Sequence, residues 1–132
     1  IIPDLPPEEG ELYLSAMKQN SLAPVHIFTP NSSDERMRQL SDSSSGFIYA
    51  VARKGVTGNA TAFSSDLDDY LERCRKATDL PLAVGFGVSS KADVDFIRGK
   101  ADIAVIGSQS IRVMEQQGVN ALGSFISGLN VS

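Results

Sequence analysis

Two stretches of this chain repeat one arrangement twenty positions apart, at Gly87 and again at Gly107. In the first, an apolar run from Leu80 to Val84 leads into Gly85-Phe86-Gly87-Val88-Ser89-Ser90, and a helical pattern begins near Ser90. In the second, Ile103 to Ile106 is the apolar run, Gly107-Ser108 turns the chain, and a helical segment follows from about Ser110. Each reads as a strand end, a glycine turn and a helix start. Glycine permits close backbone approach and positive φ. A helix N-terminus offers free N–H groups and a partial positive charge, which suits a phosphate. Two such turns after neighbouring parallel strands are expected to frame an anion.

The rest of the chain supplies the same alternation. Ile1 to Asp4 reads as the end of a strand, followed by the stiff turn Leu5-Pro6-Pro7. Pro7, Glu8 and Glu9 suit a helix start, and Leu12, Ala16 and Met17 predict the inner stripe of a helix to about Asn20. Ala23 to Phe28 predicts a strand. Ser32 and Glu35 fit a capping box opening a short helix with Met37 and Leu40 on one face. Phe47 to Val51 is five apolar or aromatic residues in a row, which predicts a strand buried on both faces, as in a parallel sheet. Asp66 to Thr78 predicts an amphipathic helix, with Leu67, Tyr70, Leu71 and Cys74 at i, i+3, i+4 and i+7. Leu82 to Val84 and Ile103 to Ile106 complete the strands. Helices are expected from Ser90 to about Arg98, Ser110 to Gln117 and Val119 to Ser127. Strand–helix alternation throughout points to an α/β fold with a parallel sheet. It fits part of a (β/α)8 barrel or an open doubly wound sheet. In the barrel, a phosphate site often follows the last two strands.

Composition narrows the function. The chain has 132 residues, 42% of them hydrophobic, enough for one domain with a core. A net charge of −4 with no basic run argues against a nucleic-acid surface. No apolar run reaches the roughly 18 to 20 residues that span a membrane. Cys74, the single cysteine, has no internal partner, and cytosolic redox conditions fit best. The opening on Ile1-Ile2, without methionine and at a strand's C-terminal end, predicts that further sequence precedes it.

Several residues invite a functional reading beside a plain one. Gly55-Val56-Thr57-Gly58 sits in a long loop of small residues, suited to a lid or to ordinary flexibility. Tyr49 and Phe86 lie near the C-terminal ends of strands, where ligands gather in parallel α/β folds, although both residue types also fill cores. His26, the only histidine, has no Ser or Cys partner at a recognisable spacing and is expected to be structural. Cys74 reads as a small core hydrophobe. Asp66, Asp68, Asp69 and Glu72 read as a solvated helix N-terminus. Asp4, at a strand end, is the one carboxylate placed like a catalytic or interface group.

Taken together, Pro3-Asp4-Leu5-Pro6, Gly46-Phe47-Ile48-Tyr49 with Arg53 and Gly55-Val56-Thr57-Gly58, Leu80-Pro81-Leu82-Ala83-Val84-Gly85-Phe86-Gly87-Val88-Ser89, and Gly107-Ser108 resemble the tryptophan synthase alpha subunit family over essentially the whole chain. The resemblance implies a (β/α)8 barrel, with residues 1 to 132 covering roughly strands 4 to 8 of a single domain. It implies a lyase that splits indole-3-glycerol phosphate into indole and glyceraldehyde 3-phosphate. By the same resemblance, Gly58, Gly87, Gly107 and Ser108 bind the substrate phosphate, and Tyr49 and Phe86 line the indole pocket. Arg53, Gly55 and Thr57 belong to a mobile loop, and Pro3, Asp4 and Pro6 lie near the contact with the beta subunit. The family's catalytic glutamate and aspartate match nothing here; they fall upstream of Ile1, so no catalytic residue is expected in this chain.

The resemblance further implies a cytoplasmic alpha2beta2 complex with the beta subunit. Pyridoxal phosphate belongs to that partner, and no cofactor is expected in this subunit. Two other functions compete. One is a different phosphate-binding barrel, such as indole-glycerol phosphate synthase, which would lack the Gly-Val-Thr-Gly loop. The other is a non-catalytic half-barrel that binds phosphates or self-associates.

Overall fold

The computed structural model describes residues 1–51, 65–85 and 87–129. Its strands are β1 (Ile27–Phe28), β2 (Ile48–Val51), β3 (Leu82–Gly85) and β4 (Ile103–Ala104). They pair in sequence order, all parallel. A doubly wound sheet reverses its strand order partway; this one does not, as expected for consecutive strands of a barrel wall. The connecting helices are α1 (Glu11–Gln19), α2 (Asp34–Asp42), α3 (Ser65–Ala77), α4 (Lys91–Ile97), α5 (Ser108–Gln117) and α6 (Val119–Leu129), with a 3-10 turn over Pro7–Glu9.

The register sorts the side chains onto two faces. Phe28, Ala50 and Val84 lie in one row across the sheet, and Ile48 pairs with Leu82 two residues below. All five are buried, packed with Met37 and Leu40 of α2 and Tyr70, Leu71 and Cys74 of α3. The opposite row runs Ile27, Tyr49, Ala83, Ile103. There Ile27 and Tyr49 are half-buried and Ile103 is 42% exposed. The expectation that Phe47 to Val51 is buried on both faces is therefore corrected. Burial alternates along β2, with Ile48 and Ala50 against the helical core and Tyr49 and Val51 half-buried, whereas β3 buries Leu82, Ala83 and Val84 in succession.

Three local expectations also change. Ile1 and Ile2 form no strand; they are exposed and lead into a turn in which Leu5 N–H donates to Ile2 O at 3.3 Å. Two residues ahead of a proline turn are too few to hold a ladder on a sheet edge. In α1, Leu12 is 87% exposed, Ala16 is exposed, and the helix rests on Tyr13, Leu14 and Met17. Apolar residues occur almost all round this helix, so its period alone does not choose a face. The N-cap of α2 is Ser33, whose Oγ accepts from Arg36 N–H at 3.1 Å, whereas Ser32 Oγ accepts from Thr29 N–H at 3.2 Å. The helix starts one residue later than the Ser32–Glu35 pattern predicts. An Asp34–Arg73 ion pair at 2.7 Å and the hold of Arg73 on Ser32 O tie this start to α3.

His26 is buried just before β1. The Ser44 hydroxyl donates to Leu40 O at 2.7 Å, so its oxygen must accept from His26 Nδ1–H at 2.9 Å. Burial, then the nearby Arg36 charge, holds the imidazole below its ordinary pKa. The unfolded chain thus takes up a proton before the folded one does. The stability His26 contributes is intact above about pH 6.5 and is lost as pH falls through the depressed folded value. Thermal unfolding between pH 8 and pH 5 is expected to show this acid-side loss, and His26→Gln to flatten it. A profile identical in the variant would contradict the assignment.

Cys74 is fully buried and its thiol is pushed up to about 11, chiefly by burial, so it packs as a hydrophobe and is no nucleophile at neutral pH.

Candidate functional site

The C-terminal ends of β2, β3 and β4 open into one cleft of about 230 Å³. Tyr49, Gly85, Gly87, Ser89, Gly107 and Ser108 line it, together with Val88, Val105, Gln109 and Arg112. Three of the expected phosphate residues, Gly87, Gly107 and Ser108, and one of the expected indole residues, Tyr49, are thus brought to a single place. Gly58, Phe86, Arg53, Gly55 and Thr57 lie outside the described residues.

Glycine at position 85 sets the position of Tyr49. A Cβ there would lie 2.1 Å from the Tyr49 hydroxyl and 2.7 Å from its Cζ. The ring can lean across the end of β3 only because Gly85 carries no side chain. It then forms an aromatic wall at the mouth of the cleft, half-buried, on the open face of the sheet.

The two glycine turns differ in what they offer. At the α4 end, Asp93 is buried, and its Oδ2 accepts from Ser89 N–H at 2.9 Å, Ser90 N–H at 3.0 Å and Ser89 Oγ–H at 3.0 Å. Ser90 Oγ in turn accepts from Asp93 N–H at 3.3 Å, completing a capping box. The chain's own carboxylate therefore fills the anion position at the start of α4. This corrects the picture of two equivalent turns. At the α5 end the N-cap is Gly107, which has no side chain with which to cap, and no carboxylate occupies the first turn. Its first N–H groups take no side-chain cap, and Gly107 and Ser108 both line the cleft.

Space is available for close approach. A Cβ built on Gly87 or on Gly107 meets nothing within 4 Å. Gly87 also has φ +68°, a left-handed backbone that a side-chain-bearing residue adopts only at a cost. Gly107, at φ −97°, carries no such penalty. An anion seated here would meet backbone donors at the start of α5, in the cleft that the Gly87 turn also lines. The arrangement suits a small phosphate monoester whose remaining part extends toward Tyr49.

The amino-terminal candidates lie elsewhere. Pro3 and Asp4 are exposed, Pro6 is half-buried, and all three line a separate cleft of about 270 Å³ with His26 and Arg36. Asp4 does not share the Tyr49 cleft. Arg36 spans this region by pairing with Glu8, and the guanidinium holds the Glu8 carboxyl below its ordinary range.

Sequence reading missed Asp93 and Arg112. The Ser90-x-x-Asp93 spacing was the available signal for the first, since it matches a capping box. Arg112 stands four residues after Ser108, which places both on one face of a helix.

Comparisons with known proteins identify the family and the fold. Residues 1–125 match the family model described as tryptophan synthase alpha chain. The chain is 59% identical over 129 residues to the tryptophan synthase alpha chain of Desulforapulum autotrophicum, covering 98% of this chain and 51% of that protein. It is 55% identical over 129 residues to the one from Syntrophotalea carbinolica, with the same coverage. Among solved structures, a crystal structure of tryptophan synthase from M. tuberculosis superposes with a TM-score of 0.80 at 28% identity, over 96% of this chain and 47% of that one. A structure from Aquifex aeolicus VF5 does so with a TM-score of 0.81 at 32% identity, over 98% of this chain and 48% of that one. The chain spans about half the length of the relatives it matches.

Proposed function

This chain belongs to the tryptophan synthase alpha chain family, and from that premise we propose that it supplies the phosphate- and indole-binding half of a lyase acting on indole-3-glycerol phosphate. The observation that carries the reading is the uncapped start of α5, which shares one cleft with Gly87 and Tyr49. In this reading the substrate phosphate rests on the N–H groups of Gly107 and Ser108, and the indole ring lies toward Tyr49. Phe86 and Gly58 are assigned to the same site by family resemblance.

The reaction breaks one carbon–carbon bond. A general acid protonates indole C3, and a base takes the proton from the adjacent glycerol hydroxyl. The oxygen's electron pair closes to the aldehyde as the bond to C3 breaks, giving indole and glyceraldehyde 3-phosphate with no other reactant. The residues of this chain anchor and orient the substrate. Both proton-transfer groups, a glutamate and an aspartate in the family pattern, are assigned to the part of the barrel that this chain does not span. Binding energy from the remote phosphate then holds the reacting bond between them.

The chain itself requires no cofactor for this chemistry. In the same reading the beta subunit, which carries pyridoxal phosphate, docks near Pro3, Asp4 and Pro6 in a cytoplasmic alpha2beta2 complex. Among the described residues no helix is long and apolar enough to cross a membrane.

Gly107→Leu tests the phosphate assignment. The substitution fills the cleft without backbone strain, whereas Gly87→Leu would confound binding with the cost of a left-handed residue. Charge-assisted hydrogen bonds contribute about 1.5–3 kcal/mol each, so losing one is expected to weaken glycerol 3-phosphate binding roughly 10- to 100-fold. Isothermal titration at an unchanged melting temperature would show it. Undiminished affinity would move the phosphate away from α5.

A further inference from the structure

We propose that Arg112 is the cation that completes the phosphate site, making the cleft selective for a doubly charged phosphate monoester. This inference rests on the assignment of the cleft to a phosphate. Arg112 lines the same cleft as Gly87, Gly107 and Ser108, and it is the only charged side chain among the described residues that do so. One helical turn separates it from Ser108, on the same face of α5. Its guanidinium donates to Gln109 Oε1 at 3.3 Å, and it forms no ion pair with the described residues.

The charge balance argues for such a group. A helix start supplies roughly half a positive charge, while a phosphate monoester carries about −1.5 to −2 at neutral pH. Backbone donors alone leave most of that charge uncompensated in a partly desolvated cleft. Arg112 also sits in the N-terminal half of its helix, where a cation opposes the dipole unless an anion lies between them. A guanidinium presents two parallel N–H donors to phosphate oxygens, and only the weak amide bond to Gln109 has to be exchanged.

The test is a titration with glycerol 3-phosphate, with glycerol as the uncharged control, followed by amide NMR and calorimetry. It is run on the chain alone and on the chain complemented with the half of the Desulforapulum autotrophicum relative that it does not cover. Arg112→Gln is expected to bind roughly 10-fold more weakly, with a shallower salt dependence and an unchanged melting temperature, because the side chain is exposed. Wild-type affinity should rise as pH passes about 6, where the ester gains its second charge. That rise should shrink in Arg112→Gln and return in Arg112→Lys. Equal affinity and equal pH dependence in wild type and Arg112→Gln, with Gly107 and Ser108 amides shifting in both, would overturn the role of Arg112 and leave the phosphate site standing. Absence of any Gly107 or Ser108 shift in the wild type would overturn both.

Discussion

The 132-residue chain on its own is expected to release no measurable indole from indole-3-glycerol phosphate. A positioned acid or base contributes about 10²- to 10⁴-fold to such a reaction, and among the described residues that line the cleft beside Tyr49 there is no carboxylate and no histidine. The carboxylates nearest to consider are unsuited. Asp93 is buried and spends one oxygen on three donors from Ser89 and Ser90. Asp4 lines a different cleft. Losing two such groups is expected to cost about 10⁴- to 10⁸-fold, which phosphate anchoring cannot replace. Adding the missing half from a relative should restore part of the activity, because Ile27, Tyr49 and Ile103 leave a partly exposed apolar face for it to cover. A continuous assay for released indole decides this. Brisk turnover by the purified chain would place a catalytic group within it, and Asp4→Asn would be the first variant to make.

Asp93→Ala is expected to cost about 1–2 kcal/mol of stability and most of the phosphate affinity together. The residue is 3% exposed, and removing its carboxylate breaks the capping box and takes the acceptor from the N–H groups of half-buried Ser89 and exposed Ser90. The same carboxylate fixes the turn that follows Gly87, and Ser89 lines the cleft. Loosening the turn therefore moves one wall of the site. Asp93→Asn keeps an acceptor oxygen and should lose about 1 kcal/mol, since only the charge assistance is removed. Urea denaturation and phosphate titration on both variants measure the two effects. A loss below about 0.5 kcal/mol in Asp93→Ala would show that the capping box does not hold the turn.

Much of this was readable from residue order. Leu67, Tyr70, Leu71 and Cys74 repeat at helical spacing and pack into the core as expected, because a long amphipathic helix has one unambiguous face. The glycines at 87 and 107 announced strand-to-helix turns, and the structure brings both turns to one cleft. What failed to read has physical causes. Leu12, Tyr13, Leu14, Ala16 and Met17 offer two possible stripes, and only tertiary contact selects the second. Ile1 and Ile2 have strand-forming side chains but make no ladder here. The difference between the two turns depends on whether a side chain three residues into a helix folds back onto the cap, as Asp93 does. Arg112 was invisible as a site residue because a single arginine on an exposed helix has no distinctive spacing until Ser108 is known to face a cleft.

The most direct test of the whole account is where a phosphate monoester binds. Glycerol 3-phosphate titrated into 15N-labelled protein should shift the amides of Gly87, Gly107 and Ser108 together, with one common affinity, and shift them less in Gly107→Leu. The uncapped N-terminus of α5, in a cleft that Gly87 also lines, predicts that pattern. If those three amides stay still while residues of the larger cleft between α3 and the end of α4 respond, around Arg75 and Lys100, the phosphate assignment is wrong.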